Sequence, residues 1–300
     1  MQDKLNKPKR FGEVLDTIFS LSRSRFLDFL KIYLMLLGPI IILEVLVYLA
    51  MGKSLIQEVG QGSNWIEKIL SGFDPDDPFA QQEEILSENV LIMLSGIMSV
   101  FATVAILFAV DHIRKGETFQ PSEVAKRAFT KALPILGATI LLIIAFFFLL
   151  LIILLPGSTF SLGLESLVSL TFFFLILGIG LIALLIYLII KITFYIAEIA
   201  FGSTVLSSFK NSWQLTRRRV LFLFGLYIVF ALIIGIINFV FEITAILLLG
   251  NSVLYVLIVN IVALATSMIG SIGYSVAYFD LKSRHDVDEI QEIIEEYHSE

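Results

Sequence analysis

Five polar residues within long apolar stretches are the first candidates for chemistry, because an ionisable or amide group in hydrocarbon costs a few kcal/mol unless it does something there. Glu44 lies five residues beyond Gly38-Pro39, where a helix is expected to kink. A carboxylate so placed could bind a proton, a cation or a substrate amine; alternatively it reaches the outer interface, since Tyr48 and Met51 close the stretch. Lys191 and Glu198 are two helical turns apart on roughly one face, spaced to pair with each other or with neighbouring helices, and Lys191 also has the reach to snorkel to headgroups. Asn238 and Asn260 are suited to hydrogen bonds between helices.

Enzymatic signatures are missing from the pattern. Cysteine is absent, which removes disulfides, thiolate metal sites and Cys nucleophiles. His112, His285 and His298 belong to no metal-spacing motif. Asp111-His112, beside Arg114-Lys115, reads as a solvated polar cluster rather than a dyad, and Asp74-Pro75-Asp76-Asp77-Pro78 as a turn and helix cap rather than a calcium loop. No phosphate-binding glycine loop or nucleophile elbow occurs. No catalytic residue, metal ligand or cofactor is therefore expected.

The elements that must position these residues are membrane helices. Hydrophobic residues make up 57% of the 300 and charged ones only 16%, with a mean hydropathy of +0.91, too apolar for a soluble core. Six stretches have the roughly 20 apolar residues that a bilayer core requires, at about 32–51, 89–110, 134–155, 167–190, 220–241 and 253–279. The fourth runs on in apolar character through Phe201. Their continuity argues for helices over a barrel. The expected architecture is all-α and polytopic: 1–31 an N-terminal amphipathic segment, 32–279 a six-span domain with an outer loop at 52–88, and 280–300 an acidic tail. Nineteen of the 21 lysines and arginines fall on one side of this topology and only Lys53 and Lys68 on the other, so both termini are expected in the cytoplasm. The first span is expected to stay uncleaved.

A basic amphipathic stretch precedes each odd-numbered span. Shifting Glu13 to Phe26 by 194 residues superposes Leu21-Ser22-Arg23-Ser24-Arg25 on Leu215-Thr216-Arg217-Arg218-Arg219, and a shift of 110 places Glu123-Val124 on Glu13-Val14. The implied unit, used three times, is an interfacial helix, a span, an outer turn and a span. Phe11, Val14, Leu15, Ile18, Phe19 and Phe26 would sink one face to the acyl boundary while Arg23, Arg25, Lys126, Arg127, Arg217, Arg218 and Arg219 meet headgroups, preferably anionic ones. The alternative is that these helices pack on one another.

Ala197-Glu198, then Ser212-Trp213-Gln214-Leu215-Thr216-Arg217 before an apolar span, together with the opening Gly12-Glu13-Val14-Leu15-Asp16, resemble the membrane-domain family of glycerophosphoryl diester phosphodiesterases. The resemblance implies a membrane scaffold. With 21 residues following the sixth span, no catalytic barrel is expected, and phosphodiesterase activity is not carried over.

Small residues (Ser95, Ser99 and Thr103 in the second span, Ala263, Ser267 and Ser271 in the sixth) favour close packing within a bundle or between protomers. In the tail, Ile290, Ile293, Ile294 and Tyr297 form a stripe among acids, suited to docking on the basic segments or a protein partner. The expectation is a non-enzymatic bacterial inner-membrane protein that engages lipids or a partner complex and no nucleic acid. A small transporter or export accessory using Glu44 is the alternative, and an intramembrane enzyme acting on lipid headgroups ranks third.

Overall fold

The computed structural model describes residues 8–56, 78–160, 168–250 and 252–299. Among these every regular element is a helix: α1 Phe11–Ser24, α2 Phe26–Ala50, α3 Pro78–Lys115, α4 Pro121–Thr130, α5 Ala132–Phe160, α6 Val168–Ile192, α7 Tyr195–Ala200, α8 Val205–Thr216, α9 Val220–Leu249 and α10 Val253–Ser299. Among the described residues six helical segments are long and apolar enough to cross a bilayer, Phe26–Ala50, Asn89–Lys115, Ala132–Leu150, Gly180–Ala200, Val220–Leu249 and Val253–His285. The protein is thus an all-α polytopic membrane protein.

The expected order of short helix then span occurs three times, as α1–α2, α4–α5 and α8–α9. The joints are brief and basic: Arg25 alone, Lys131 alone, and Arg217 to Arg219. Several boundaries differ from expectation: α2 begins at Phe26 and not at 32, and α9 runs to Leu249 and not to 241. The fourth apolar stretch breaks at Thr193-Phe194 into α6 and α7, and α10 runs unbroken through residues 279–280. No glycine or proline lies between Phe279 and Ser299, so the change there from apolar to acidic alters the chemistry along the helix and not its backbone. The outer-loop residues Trp65, Phe73 and Asp77, and the side chains of the tail stripe from Ile290 to Tyr297, lie outside the described residues.

The chain forms two compact units. In the first, Met1–Phe129 with Leu226–Glu300, α10 packs on α1, α2 and α3, and α2 packs on α3. Phe29, Ile32, Tyr33 and Leu36 form the inward stripe of α2, and Phe101 to Val110 is almost wholly buried on α3. In lipid, where no hydrophobic force favours one helix face over another, close packing and interhelical hydrogen bonds hold the helices together. Tyr33 Oη donates to the Ser267 carbonyl at 3.0 Å and meets Ser271 Oγ, which lies 2.8 Å from Thr103 Oγ1. The small residues of the second and sixth spans therefore meet each other at Thr103 and Ser271. At Gly273 a Cβ would lie 3.0 Å from the Phe230 ring, so this glycine allows α9 and α10 to approach. In the second unit, Thr130–Gly225, α8 packs against α5, α6 and α7.

The short helices do not share one mode of burial. On α1, Val14, Ile18 and Leu21 are fully buried in the protein while Phe19, and Phe26 at the start of α2, stay exposed, so much of the stripe expected to enter lipid is instead taken up by packing, with α10 the main neighbour. On α8 the buried face is Ser208, Ser212 and Thr216, one turn apart, and Leu206 and Trp213 face outward.

Candidate membrane-contact site

All seven basic residues singled out above are exposed: Arg23, Arg25, Lys126, Arg127, Arg217, Arg218 and Arg219. Arg25 Nη1 lies 3.4 Å from Asp28 Oδ2, a solvated pair of little strength. The Arg127 guanidinium stands 4.4 Å from the Phe108 ring centroid. In the first unit α2, α3 and α4 enclose a groove of about 470 Å³. Its walls include Met35 and Pro39 of α2, Met98 of α3 and Phe129 of α4, and Ser122 and Lys126 supply its polar groups. Pro39 explains the gap in part, because it removes the amide that would bond the Met35 carbonyl and its ring crowds that turn.

Of the five intramembrane polar residues, Glu44 and Asn260 are brought together. Asn260 Nδ2 donates to Glu44 Oε2 at 2.9 Å and to the Val256 carbonyl at 3.0 Å. Glu44 is six residues from the end of α2, about 9 Å at 1.5 Å per residue, so the pair is two turns inside the bundle end and half-buried. Asn238 Nδ2 donates to Thr266 Oγ1 at 3.3 Å. Glu242 of α9 escaped the sequence reading; it is an exposed carboxylate in a 30-residue apolar helix, and that isolation was the signal available.

Lys191 and Glu198 are not brought together. Lys191 is 1% exposed, and its Nζ lies 5.1 Å from the Trp213 ring and 5.6 Å from the Tyr187 ring. Glu198 Oε2 instead accepts from Asn211 Nδ2 and Ser203 Oγ, each at 3.2 Å. The break between α6 and α7 is closed by α8. Ser212 Oγ accepts the Phe194 amide at 3.1 Å and donates to the Lys191 carbonyl at 3.0 Å, and Thr216 Oγ1 donates to the same carbonyl at 3.2 Å. Residues 191–198 and 211–216 thus meet through contacts of α8, which spacing alone did not reveal.

Asp111 corrects the solvated-cluster reading. It is 4% exposed and paired with Arg114 at 3.0 Å and Lys115 at 2.7 Å, because residues three and four ahead on a helix reach back over it. His112 turns away, its Nδ1 2.7 Å from the Phe108 carbonyl. Arg114 also stands 4.6 Å from the Phe279 ring, and its Nε is buried without a hydrogen-bond partner.

A further polar node joins α1 to α10. The Lys9 amide donates to Asp280 Oδ1 at 2.7 Å, Arg284 Nε donates to Asp280 Oδ2 at 3.0 Å, and Arg284 Nη2 donates to the Lys9 carbonyl. Burial pushes the Lys9 ammonium below its ordinary value, with the Asp280 carboxylate opposing. Among the described residues no three His, Asp or Glu side chains converge as a metal set would. Against family models, curated proteins and solved structures, nothing matches this chain.

Proposed function

We propose that the protein is a non-enzymatic integral membrane protein, of a bacterial inner membrane with both termini cytoplasmic, that acts as a lipid-interacting scaffold or accessory in membrane homeostasis or regulation. The observation that carries this reading is the exposure of the seven lysines and arginines named above, on or near the short segments that lead into three spans. Charges placed there meet headgroups, and each is worth about 1 kcal/mol against an anionic surface. The resemblance to the membrane domain of the glycerophosphoryl diester phosphodiesterase family favours the same role. A protein partner through the acidic tail or the outer loop fits this reading as well. The test is thermal stability in nanodiscs of phosphatidylglycerol against phosphatidylcholine. Stabilisation by the anionic lipid, removed by added salt, is expected; equal stability in both overturns the proposal.

One observation favours a second reading. The Glu44 carboxylate is tied to Asn260 on another span, as in a site that holds a proton or cation during transport. Proteoliposome flux that Glu44→Gln abolishes supports transport, and flux absent from both proteins or equal in both removes it.

A further inference from the structure

The groove in the first unit is chemically lopsided. Met35, Pro39, Met98 and Phe129 make its walls apolar, and its single charge is the Lys126 ammonium, with the Ser122 hydroxyl one turn away on α4. It opens toward the surroundings, since Met35 is 48% and Phe129 43% exposed. On α2 the last charged residue before it is Lys31, and Met35 and Pro39 follow by about 6 and 12 Å at 1.5 Å per residue. It therefore runs from headgroup depth into the acyl region. An apolar volume there is not held by water, which would lack polar partners, and left empty it forfeits dispersion contacts. Two methionines give walls that adapt to a flexible chain, and the volume falls in the about 300–1,000 Å³ range of ligand sites.

We propose that this groove holds one acyl chain of an anionic glycerophospholipid from the surrounding bilayer, with the lipid phosphate on the Lys126 ammonium. The occupant is set by charge complementarity. A neutral hydrocarbon would leave Lys126 unanswered, and a zwitterionic lipid brings a cation to the same place. The lysine stem lies along the apolar wall while its amine stays at headgroup depth, and Ser122 donates to a phosphate or ester oxygen. Arg127, the next residue, stands over Phe108, which leaves Lys126 as the cation lining the groove. This inference rests on the lipid-interacting reading above and narrows it from a charged surface to one site.

The test uses the full chain, delipidated in neutral detergent and titrated with phosphatidylglycerol or phosphatidylcholine of matched chains, with bound lipid counted by native mass spectrometry. One phosphatidylglycerol per chain is expected to bind ahead of phosphatidylcholine. Lys126→Gln should lower phosphatidylglycerol affinity about fivefold, the loss of one lysine contact, and leave phosphatidylcholine unchanged, while Lys126→Arg keeps the preference. Met98→Trp should fill the groove and weaken both lipids; Met35→Trp, at a more exposed wall, does the same where Met98→Trp lowers the melting temperature. Lys210→Gln, an exposed charge outside both the groove and the seven residues above, should leave the preference intact, and an equal loss there would assign it to general surface charge and overturn the site. If the wild type prefers phosphatidylglycerol yet the Lys126 and tryptophan variants bind like it, the site is wrong and the broader reading stands. If the wild type shows no preference, both fall. A two-chain species whose groove takes up no lipid also overturns the site.

Discussion

Lys191 offers a sharp test because its charge is buried against rings and not against a carboxylate. Its side chain is 1% exposed, with Trp213 and Tyr187 centroids at 5.1 and 5.6 Å, both within the roughly 6 Å at which a cation interacts with a ring. Such contacts are worth about 0.5–1 kcal/mol when wet and about 2 when desolvated. Removing the ring in Trp213→Leu should therefore cost about 2–3 kcal/mol, the lost contact plus some packing. Lys191→Met keeps the apolar stem and abolishes the desolvation cost of the ammonium, so it should change stability by less than about 1 kcal/mol in either direction. In the Lys191→Met background, Trp213→Leu should cost only its packing, giving a coupling of about 1–2 kcal/mol across the double-mutant cycle. The Ser212 and Thr216 bonds to the Lys191 carbonyl are backbone contacts and survive in every variant. The assay is SDS-driven unfolding in mixed micelles followed by tryptophan-independent circular dichroism. Coupling below about 0.3 kcal/mol, or a Lys191→Met loss above about 3 kcal/mol, would show that the ammonium is satisfied by an anion and not by the rings.

Three further outcomes follow from single contacts. Ser212→Ala removes two buried bonds at once, the one to the Phe194 amide and the one to the Lys191 carbonyl, and should cost about 1–3 kcal/mol, whereas Thr216→Val should cost under about 1 because the Lys191 carbonyl keeps Ser212; equal losses in unfolding titrations refute the asymmetry. Gly273→Leu drives into Phe230 and should destabilise by about 1–3 kcal/mol, partly relieved by Phe230→Ala, while Gly235→Leu, with nothing within 4 Å of its Cβ position, should not; melting temperatures decide it. Lys9 has its ammonium lowered from the ordinary 10.5, so between the folded value and 10.5 the unfolded chain binds more protons, and stability should rise with pH toward 10.5. In Lys9→Met the slope of stability against pH in that window should flatten, and an unchanged slope would assign it to another group.

Which segments cross the bilayer was legible; which faces of them meet was not. Hydropathy marks the six spans because apolar length is what a bilayer demands. It says nothing of the inner face, since lipid is as apolar as a packed core. Ile140, Ile143, Ile144 and Phe147 on α5 are exposed and Phe101 to Val110 on α3 are buried, yet both runs read alike as sequence. Soluble patterning also misled on α1, where spacing announced an apolar stripe correctly but could not say that protein, and not lipid, would receive Val14, Ile18 and Leu21.

What distinguishes the faces is the sparse polar residues, and these were half legible. Asn260 and Asn238 stood out as polar residues and Ser271 as a small one in apolar stretches, but their partners Glu44, Thr266, Thr103 and Tyr33 all lie on other spans and share no spacing with them. Asn260, Thr266 and Ser271 sit on α10, so that helix gathers the polar contacts of the first unit, and its unbroken course past Phe279 carries Asp280 to the Lys9 amide. A helix with a hinge at residues 279–280 would have let that carboxylate turn to water. Because nothing in the sequence breaks the helix there, the same rod that aligns Asn260, Thr266 and Ser271 also fixes the start of α1. The N-terminal segment is thereby held by a carboxylate within an apolar helix, where its bonds to a backbone amide and Arg284 face little competition from solvent.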